Sequence, residues 1–240
     1  MIFRKHVHAL VWTYRHLTGK LEVPEIEVIS RYLTDDSISF NVGAHGGSWS
    51  RGLTRVIPGG HVYSFEALPY YADVLQKTMK CLRQDRVTVL NKAVGENDGF
   101  VEMVRQDSDG NTLTGMTHVA VKGEGSREMV SVPAISLDSF WREIGEKPVD
   151  FIKCDVEGFE LFVLRGATKL IERCQPVFYN ELNAEWCKRY DYLPTDIFDF
   201  FREREYTPFY IDEKKGLLSV DVEKHVDRDV LFLPKGKTHT

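Results

Sequence analysis

Four short clusters in this 240-residue chain carry residue types that can do chemistry. In FNVGAHGGSWS (40–50), Gly43 and Gly47 let a ligand approach the backbone with no Cβ in the way, and a helix opening at Ser48 offers free N–H groups. A tight strand-to-helix turn is the plainer use of the same glycines. Glu66 closes HVYSFEA (61–67), about twenty residues after the glycines, where a carboxylate accepts hydrogen bonds from both hydroxyls of a ribose. In FIKCDVEGFE (151–160), Asp155 and Glu157 follow an apolar run and precede a turn at Gly158. An acid at a helix start serves the macrodipole, which accounts for Glu160. Asp155 instead ends a buried run, where desolvation demands a partner. The fourth cluster is Asn180-Glu181, in PVFYNEL (176–182). Brought together at adjacent strand ends, Asp155, Glu157, Asn180 and Glu181 offer oxygen atoms for Mg2+, or a general base with hydrogen-bonding helpers.

The glycine pattern narrows the ligand. A dinucleotide turn needs G-x-G-x-x-G to admit a pyrophosphate, and residues 43–47 read only G-x-x-G-G. S-adenosyl-L-methionine carries no phosphate and asks for contacts to an amino-acid tail, a ribose and an adenine, so it fits this turn better. A methyltransferase is therefore the first reading, with Asp155, Glu157 and His45 as catalytic candidates. An NAD-dependent oxidoreductase lacks its glycines here. A non-catalytic or degenerate nucleotide-binding module remains the alternative, and separate measurements of binding and turnover discriminate it. His118 and Tyr179 are further acid–base candidates, although a lone histidine more often serves structure. The polar loop with Asn111, Thr112, Thr114 and His118 can close over an acceptor or be a plain hairpin tip. Trp186, Tyr190 and Tyr192 can stack on a sugar ring or pack in the core.

The elements that must position these residues follow from periodicity. Short apolar runs at 38–44, 61–67, 87–94, 149–156, 176–182, 207–212 and 229–234 alternate with helical patterns at 48–56, 69–82, 158–173 and 194–205 and a further helix opening at Ser136. This alternation predicts an α/β fold, a doubly wound, mostly parallel sheet of seven strands of Rossmann-like type. Residues 100–132 read as an inserted β-hairpin with a polar loop over 106–128. In such a sheet ligands bind outside the carboxyl ends of the strands, at the switch in strand order, and each polar cluster falls at such an end.

One domain over 37–240 with a helical extension over 1–36 suits the length. A 42% hydrophobic fraction with 28% charged residues supplies a core without disulfides or structural metal. The net charge of -5 argues against nucleic acid as an obligate partner. Cys81, Cys154, Cys174 and Cys187 show no C-x-x-C spacing and read as reduced thiols of a cytoplasmic protein. The N-terminal run is broken by His8, Thr13, Arg15 and His16, so it predicts neither signal peptide nor membrane span. It reads as an amphipathic cap helix with Val7, Leu10, Val11 and Tyr14 on one side. A homo-oligomer is compatible with all of this.

Taken in order, FNVGAHGG, YSFEALP, NKAVGENDG, SLDSF, FIKCDVEGFELFVLRGA and YNEL resemble the FkbM family of methyltransferases, over roughly residues 38–215. The resemblance implies the class I methyltransferase fold and methyl transfer from S-adenosyl-L-methionine, with a hydroxyl of a sugar, glycan or small metabolite as acceptor. It implies Gly43 and Gly47 at the methionine tail, Glu66 at the ribose, Ala93 beside the adenine and Asp155 beneath the sulfonium. The cofactor-binding set it suggests is Asn41, Gly43, His45, Gly47, Ser48, Glu66, Ala67, Ala93 and Asp155. Related sugar O-methyltransferases hold Mg2+ with acids at two strand ends, a place filled here by Asp155, Asn180 and Glu181. Two positions depart from the family pattern, Asn41 for Asp and His45 for Asn, and the lost charge at Asn41 implies weaker cofactor affinity.

Overall fold

Strands buried on both faces are near-continuous apolar runs, and they need helices on both sides to stay dry. The computed structural model describes residues 2–104, 117–121, 128–212, 214–222 and 227–237. Its strands are β1 (Ile38–Val42), β2 (His61–Phe65), β3 (Val87–Leu90), β4 (Ala93–Val94), β5 (Gly99–Val104), β6 (His118–Val119), β7 (Met129–Ile135), β8 (Phe151–Cys154), β9 (Val177–Asn180), β10 (Tyr206–Asp212), β11 (Gly216–Ser219) and β12 (Val230–Pro234). The main sheet runs β11-β10-β12-β9-β8-β1-β2-β3. Its β3, β2, β1, β8 and β9 are parallel, and β12, β10 and β11 add antiparallel pairs. The chain winds outward from β1 through β2 to β3, then returns to the other side of β1 with β8. That reversal is the switch point where a crevice opens.

The helices are α1 (Ile2–Leu17), α2 (Glu25–Ile29), α3 (Ser48–Val56), α4 (Pro69–Cys81), α5 (Leu137–Glu143), α6 (Glu160–Arg165), α7 (Thr168–Cys174), α8 (Ala184–Arg189) and α9 (Pro194–Arg202). Under the switch point, Phe40 of β1 lies edge-on to Phe65 of β2 and Phe140 of α5, with ring centroids 5.9 and 5.5 Å apart. Burying one such side chain stabilises by about 1.5–3 kcal/mol, which fixes the strand ends above it.

Several expectations change. The sheet has eight strands, not seven, because Asp212 accepts hydrogen bonds from the Lys214 and Lys215 amides at 3.0 and 2.8 Å and turns the chain back as β11. The run over 87–94 breaks in two: Asn91 Nδ2 donates to the Glu66 and Ala67 carbonyls, so β3 stays in the main sheet and β4 leaves it. The helix expected over 158–173 divides into α6 and α7. The hairpin is larger than expected, since β5 and β7 are flanked by β4 and β6 in a second sheet ordered β4-β7-β5-β6. Asn111, Thr112 and Thr114 lie outside the described residues. Among the described side chains of α1 the buried ones are Ala9, Trp12 and His16, packed on α4, while Val7, Leu10, Val11 and Tyr14 share the exposed side. All four cysteines are free. Among the described residues no helix is long and apolar enough to cross a membrane.

Candidate active site

β1 stops at Val42 because the next two amides turn onto its neighbour: Gly43 and Ala44 both donate to the Phe65 carbonyl, at 3.1 and 2.9 Å. Gly43 has φ +78°, and a Cβ there would stand 1.8 Å from the Asp155 carbonyl oxygen. Only glycine lets this turn lie against the end of β8. His45 N–H donates to Oε2 of Glu66 and Leu68 N–H to Oε1, each at 3.0 Å, so one carboxylate ties the ends of β1 and β2 together. Burial raises the Glu66 pKa to about 6 against the pull of those two amides. Each oxygen keeps a lone pair for one more donor, as two ribose hydroxyls require.

α1 braces the turn from behind. His16 Nε2 donates to the Gly46 carbonyl at 2.8 Å, and Arg51 donates to the His16 carbonyl. The Trp12 ring lies 5.1 Å from His45 and stacks on Tyr71. Burial lowers the His45 pKa, with Asp155 opposing and Lys153 assisting, which keeps the imidazole neutral near pH 7.

The acids collect where β8 and β9 end. Lys153, with a side chain only 5% exposed, sends Nζ to Asp155 Oδ2 at 2.7 Å and to the Gly43 carbonyl at 3.2 Å. Burial works against ionisation of Asp155, yet the Lys153 charge and hydrogen bonds from Glu181 and Lys153 hold its carboxyl below the ordinary range. Glu181 goes the other way: burial, then the Asp155 charge and their shared hydrogen bond, push it up to about 10. The pair therefore keeps one proton, on Glu181. Glu157 is raised to about 7 by burial and then by the charges of Asp155 and Glu160. Carboxylate oxygens of Asp155, Glu157 and Glu181 come within 4.8 Å of one another.

Glu160 is not a helix-dipole ornament. It is fully buried, accepts hydrogen bonds from the Val156 and Gly158 amides at 2.9 and 3.2 Å, and so shapes the turn that presents Glu157. Tyr192 closes the same turn by donating to the Gly158 carbonyl at 2.8 Å. Sequence reasoning missed both Lys153 and this use of Glu160. The available signal was two charged residues inside an otherwise apolar strand and helix start.

These ends enclose a cavity of about 930 Å3, its open mouth included. Gly43, His45, Glu66, Ala67, Ala93, Asp155, Glu157 and Glu181 line it, as do Phe65, Tyr71 and Phe159; Met103, Thr117 and Val119 come from the second sheet or lie next to it. Asn41, Gly47, Ser48 and Asn180 are not among its lining residues. Asn41 is buried behind the turn, with Nδ2 donating to Ser50 Oγ at 2.9 Å. Gly47 takes φ +77° ahead of α3, where a Cβ would stand 2.5 Å from Leu75 of α4, so it serves packing. His118 packs against Trp186, Tyr179 donates to Asp229, and Tyr190 donates to the Val119 carbonyl; these side chains and Tyr192 are not among the residues that line the cavity.

The acids do not fit the Mg2+ trio as expected. Asn180 turns its amide to the Glu181 carbonyl at 2.8 Å and Lys153 already supplies a cation to Asp155, while it is Glu157, not Asn180, that brings its oxygens to those of Asp155 and Glu181.

Comparison with known proteins agrees with this fold. The curated 2-O-methyltransferase NoeI of Sinorhizobium fredii (strain NBRC 101917 / NGR234) is 24% identical over 177 residues, 68% of this chain and 70% of that protein. The crystal structure of methyltransferase FkbM from Methylobacillus flagellatus KT superposes with a TM-score of 0.53 at 20% identity; it covers 83% of this chain, which spans only 44% of that protein. The O-methyltransferase from Bacillus cereus in complex with SAH gives 0.52 at 15% identity, over 97% of this chain and 91% of that one. The family described as the methyltransferase FkbM domain matches residues 41–208, a span that holds the glycine turn, Glu66 and every acid at the ends of β8 and β9. The chain belongs to the methyltransferase FkbM domain family.

Proposed function

We propose that this methyltransferase takes its methyl group from S-adenosyl-L-methionine and places it on a hydroxyl oxygen of a sugar, a glycan or another small hydroxylated molecule. The observation that carries the reading is one cavity holding a ribose-type acceptor, Glu66, at the end of β2 and an acid cluster at the ends of β8 and β9, on the other side of β1. The residues fit the cofactor: Glu66 for the ribose, Phe65, Ala93 and Val94 as an apolar surface for adenine, Gly43 and His45 for the amino-acid tail. Asp155 supplies, from the cavity wall, the negative charge that Asn41 lacks. The printed activity of the NoeI relative, 2-O-methylation, supports an oxygen acceptor. The four free cysteines support a cytoplasmic setting.

When bound, the cofactor supplies an electrophilic methyl on a sulfonium. The chain must then hold an acceptor hydroxyl in line with it and take its proton. Glu157 is suited to that task, because a carboxylate with a pKa of about 7 binds a proton well and is still ionised in about half the molecules at neutral pH. Lys153 holds Asp155 ionised beside it, and the second-sheet wall at Met103 and Val119 keeps water from the reacting oxygen.

Calorimetric titration with S-adenosyl-L-methionine and S-adenosylhomocysteine, with NAD as control, tests the cofactor. Saturable binding of the first two alone is expected; NAD binding, or no binding by folded protein, would sink the reading. Turnover with glycans and small alcohols in a methyl-transfer assay then separates an enzyme from a binding module.

A further inference from the structure

The two faces of α1 have opposite surroundings. Ala9, Trp12 and His16 are buried against α4 and the glycine turn. Val7, Leu10, Val11, Tyr14 and Leu17 stand on the outer face, exposed by 45, 61, 48, 60 and 67%. At 3.6 residues per turn these five fall within an arc of about 120°. Exposed Arg4 and Arg15 border that arc on one side, and the Lys20 ammonium lies 5.9 Å from the Tyr14 ring centre. The helix contains no Asp or Glu in its 16 residues, although the whole chain carries a net charge of -5. Basic charge is thus concentrated beside a continuous apolar stripe.

We infer that this face of α1 docks on the surface of an anionic lipid bilayer, with the helix lying in the headgroup plane. A helix of this composition buries its apolar arc at the acyl boundary and sets its arginines against lipid phosphates. A second copy of the chain is a poorer occupant. A 16-residue helix is about 24 Å long and about 10 Å across, so its outer face offers roughly 240 Å2, against about 800 Å2 per partner in a stable interface. A two-fold contact through this face would also bring Arg4 and Arg15 of both copies onto one small patch, with no acid on the helix to offset them. Because Trp12 and His16 touch His45 and Gly46 from the opposite side, docking sets the cavity about one helix diameter, ~10 Å, from the lipid.

The test is co-sedimentation of the full chain with phosphatidylcholine vesicles, with and without phosphatidylglycerol, beside sedimentation velocity in the absence of lipid. The expected result is a monomer that pellets with phosphatidylglycerol vesicles, with binding weakened by added salt. The double substitution Leu10→Glu/Leu17→Glu, on exposed positions, should lower vesicle binding at least about tenfold at unchanged circular dichroism. Arg4→Glu/Arg15→Glu should remove the preference for the anionic lipid. Failure of the native chain to pellet, equal pelleting of the Leu10→Glu/Leu17→Glu protein, or a solution dimer that this substitution splits would each overturn the proposal. None of these readouts uses methyl transfer, so they stand apart from the proposed activity.

Discussion

Glu157 takes a left-handed backbone conformation, φ +55°, and is held there by the buried Glu160 hydrogen bonds to the amides on either side. Such strain persists where the surroundings fix it, and here it sets a carboxyl against Asp155. Glu157→Gln should lower kcat by about 10²–10⁴-fold while cofactor affinity changes little, read from turnover beside calorimetry; unchanged turnover removes it as the base. Lys153→Met should move the acid limb of the kcat–pH profile upward, because Lys153 is the cation that holds Glu157 down. A purely structural lysine would leave that limb in place. Glu66, Asp155, Glu157 and Glu181 were legible in the sequence because each closes an apolar run. Lys153 was not, since its meaning depends on which side of β8 it faces and on the bare carbonyl of Gly43 opposite. Asn41 sits in the motif but behind the cavity, a distinction that needs the position of Ser50 in three dimensions.

At the scale of elements, strand runs and the switch point could be read from hydrophobic pattern alone, since the central parallel strands β1, β8 and β9 are buried almost throughout. The β10–β11 return was missed because its signal is one Asp capping two lysine amides, not an apolar period. α1 was legible as an amphipathic helix, but its larger apolar side is the exposed one. The side that packs is small, Ala9, Trp12 and His16, and is chosen by Tyr71 and Gly46, which lie far along the chain. Trp12→Ala removes the ring that packs on both His45 and Tyr71 and should cost about 3–5 kcal/mol of stability. Thermal unfolding with and without cofactor should show both a lower Tm and a smaller ligand-induced rise. A lower Tm with an undiminished rise would mean that α1 braces the fold but not the turn.

For the molecule as a whole, the raised carboxyls dominate the response to pH. Glu66 at about 6 and Glu157 and Glu160 at about 7 all lie above their ordinary 4.5. Between those values the folded chain binds more protons than the unfolded chain, so these groups stabilise below pH 4.5 and lose that contribution as pH rises through 6 and 7. The depressed Asp155 acts oppositely in a window below 3.8, and the lowered imidazoles of His8, His16, His45 and His61 act oppositely in a window below 6.5. Above the imidazole window the carboxyls act alone, so ligand-free protein should melt at a higher temperature near about pH 6.5 than near about pH 8, and the reverse order in a thermal scan would refute the assignment. The proton that Glu181 holds against Asp155 carries one more consequence: the site behaves as an ion exchanger. A positively charged ligand settling beside this pair favours its fully ionised form and expels that proton to solvent. The heat of cofactor binding should then differ between buffers of unlike ionisation enthalpy at one pH, and uptake should tighten as the medium becomes more alkaline.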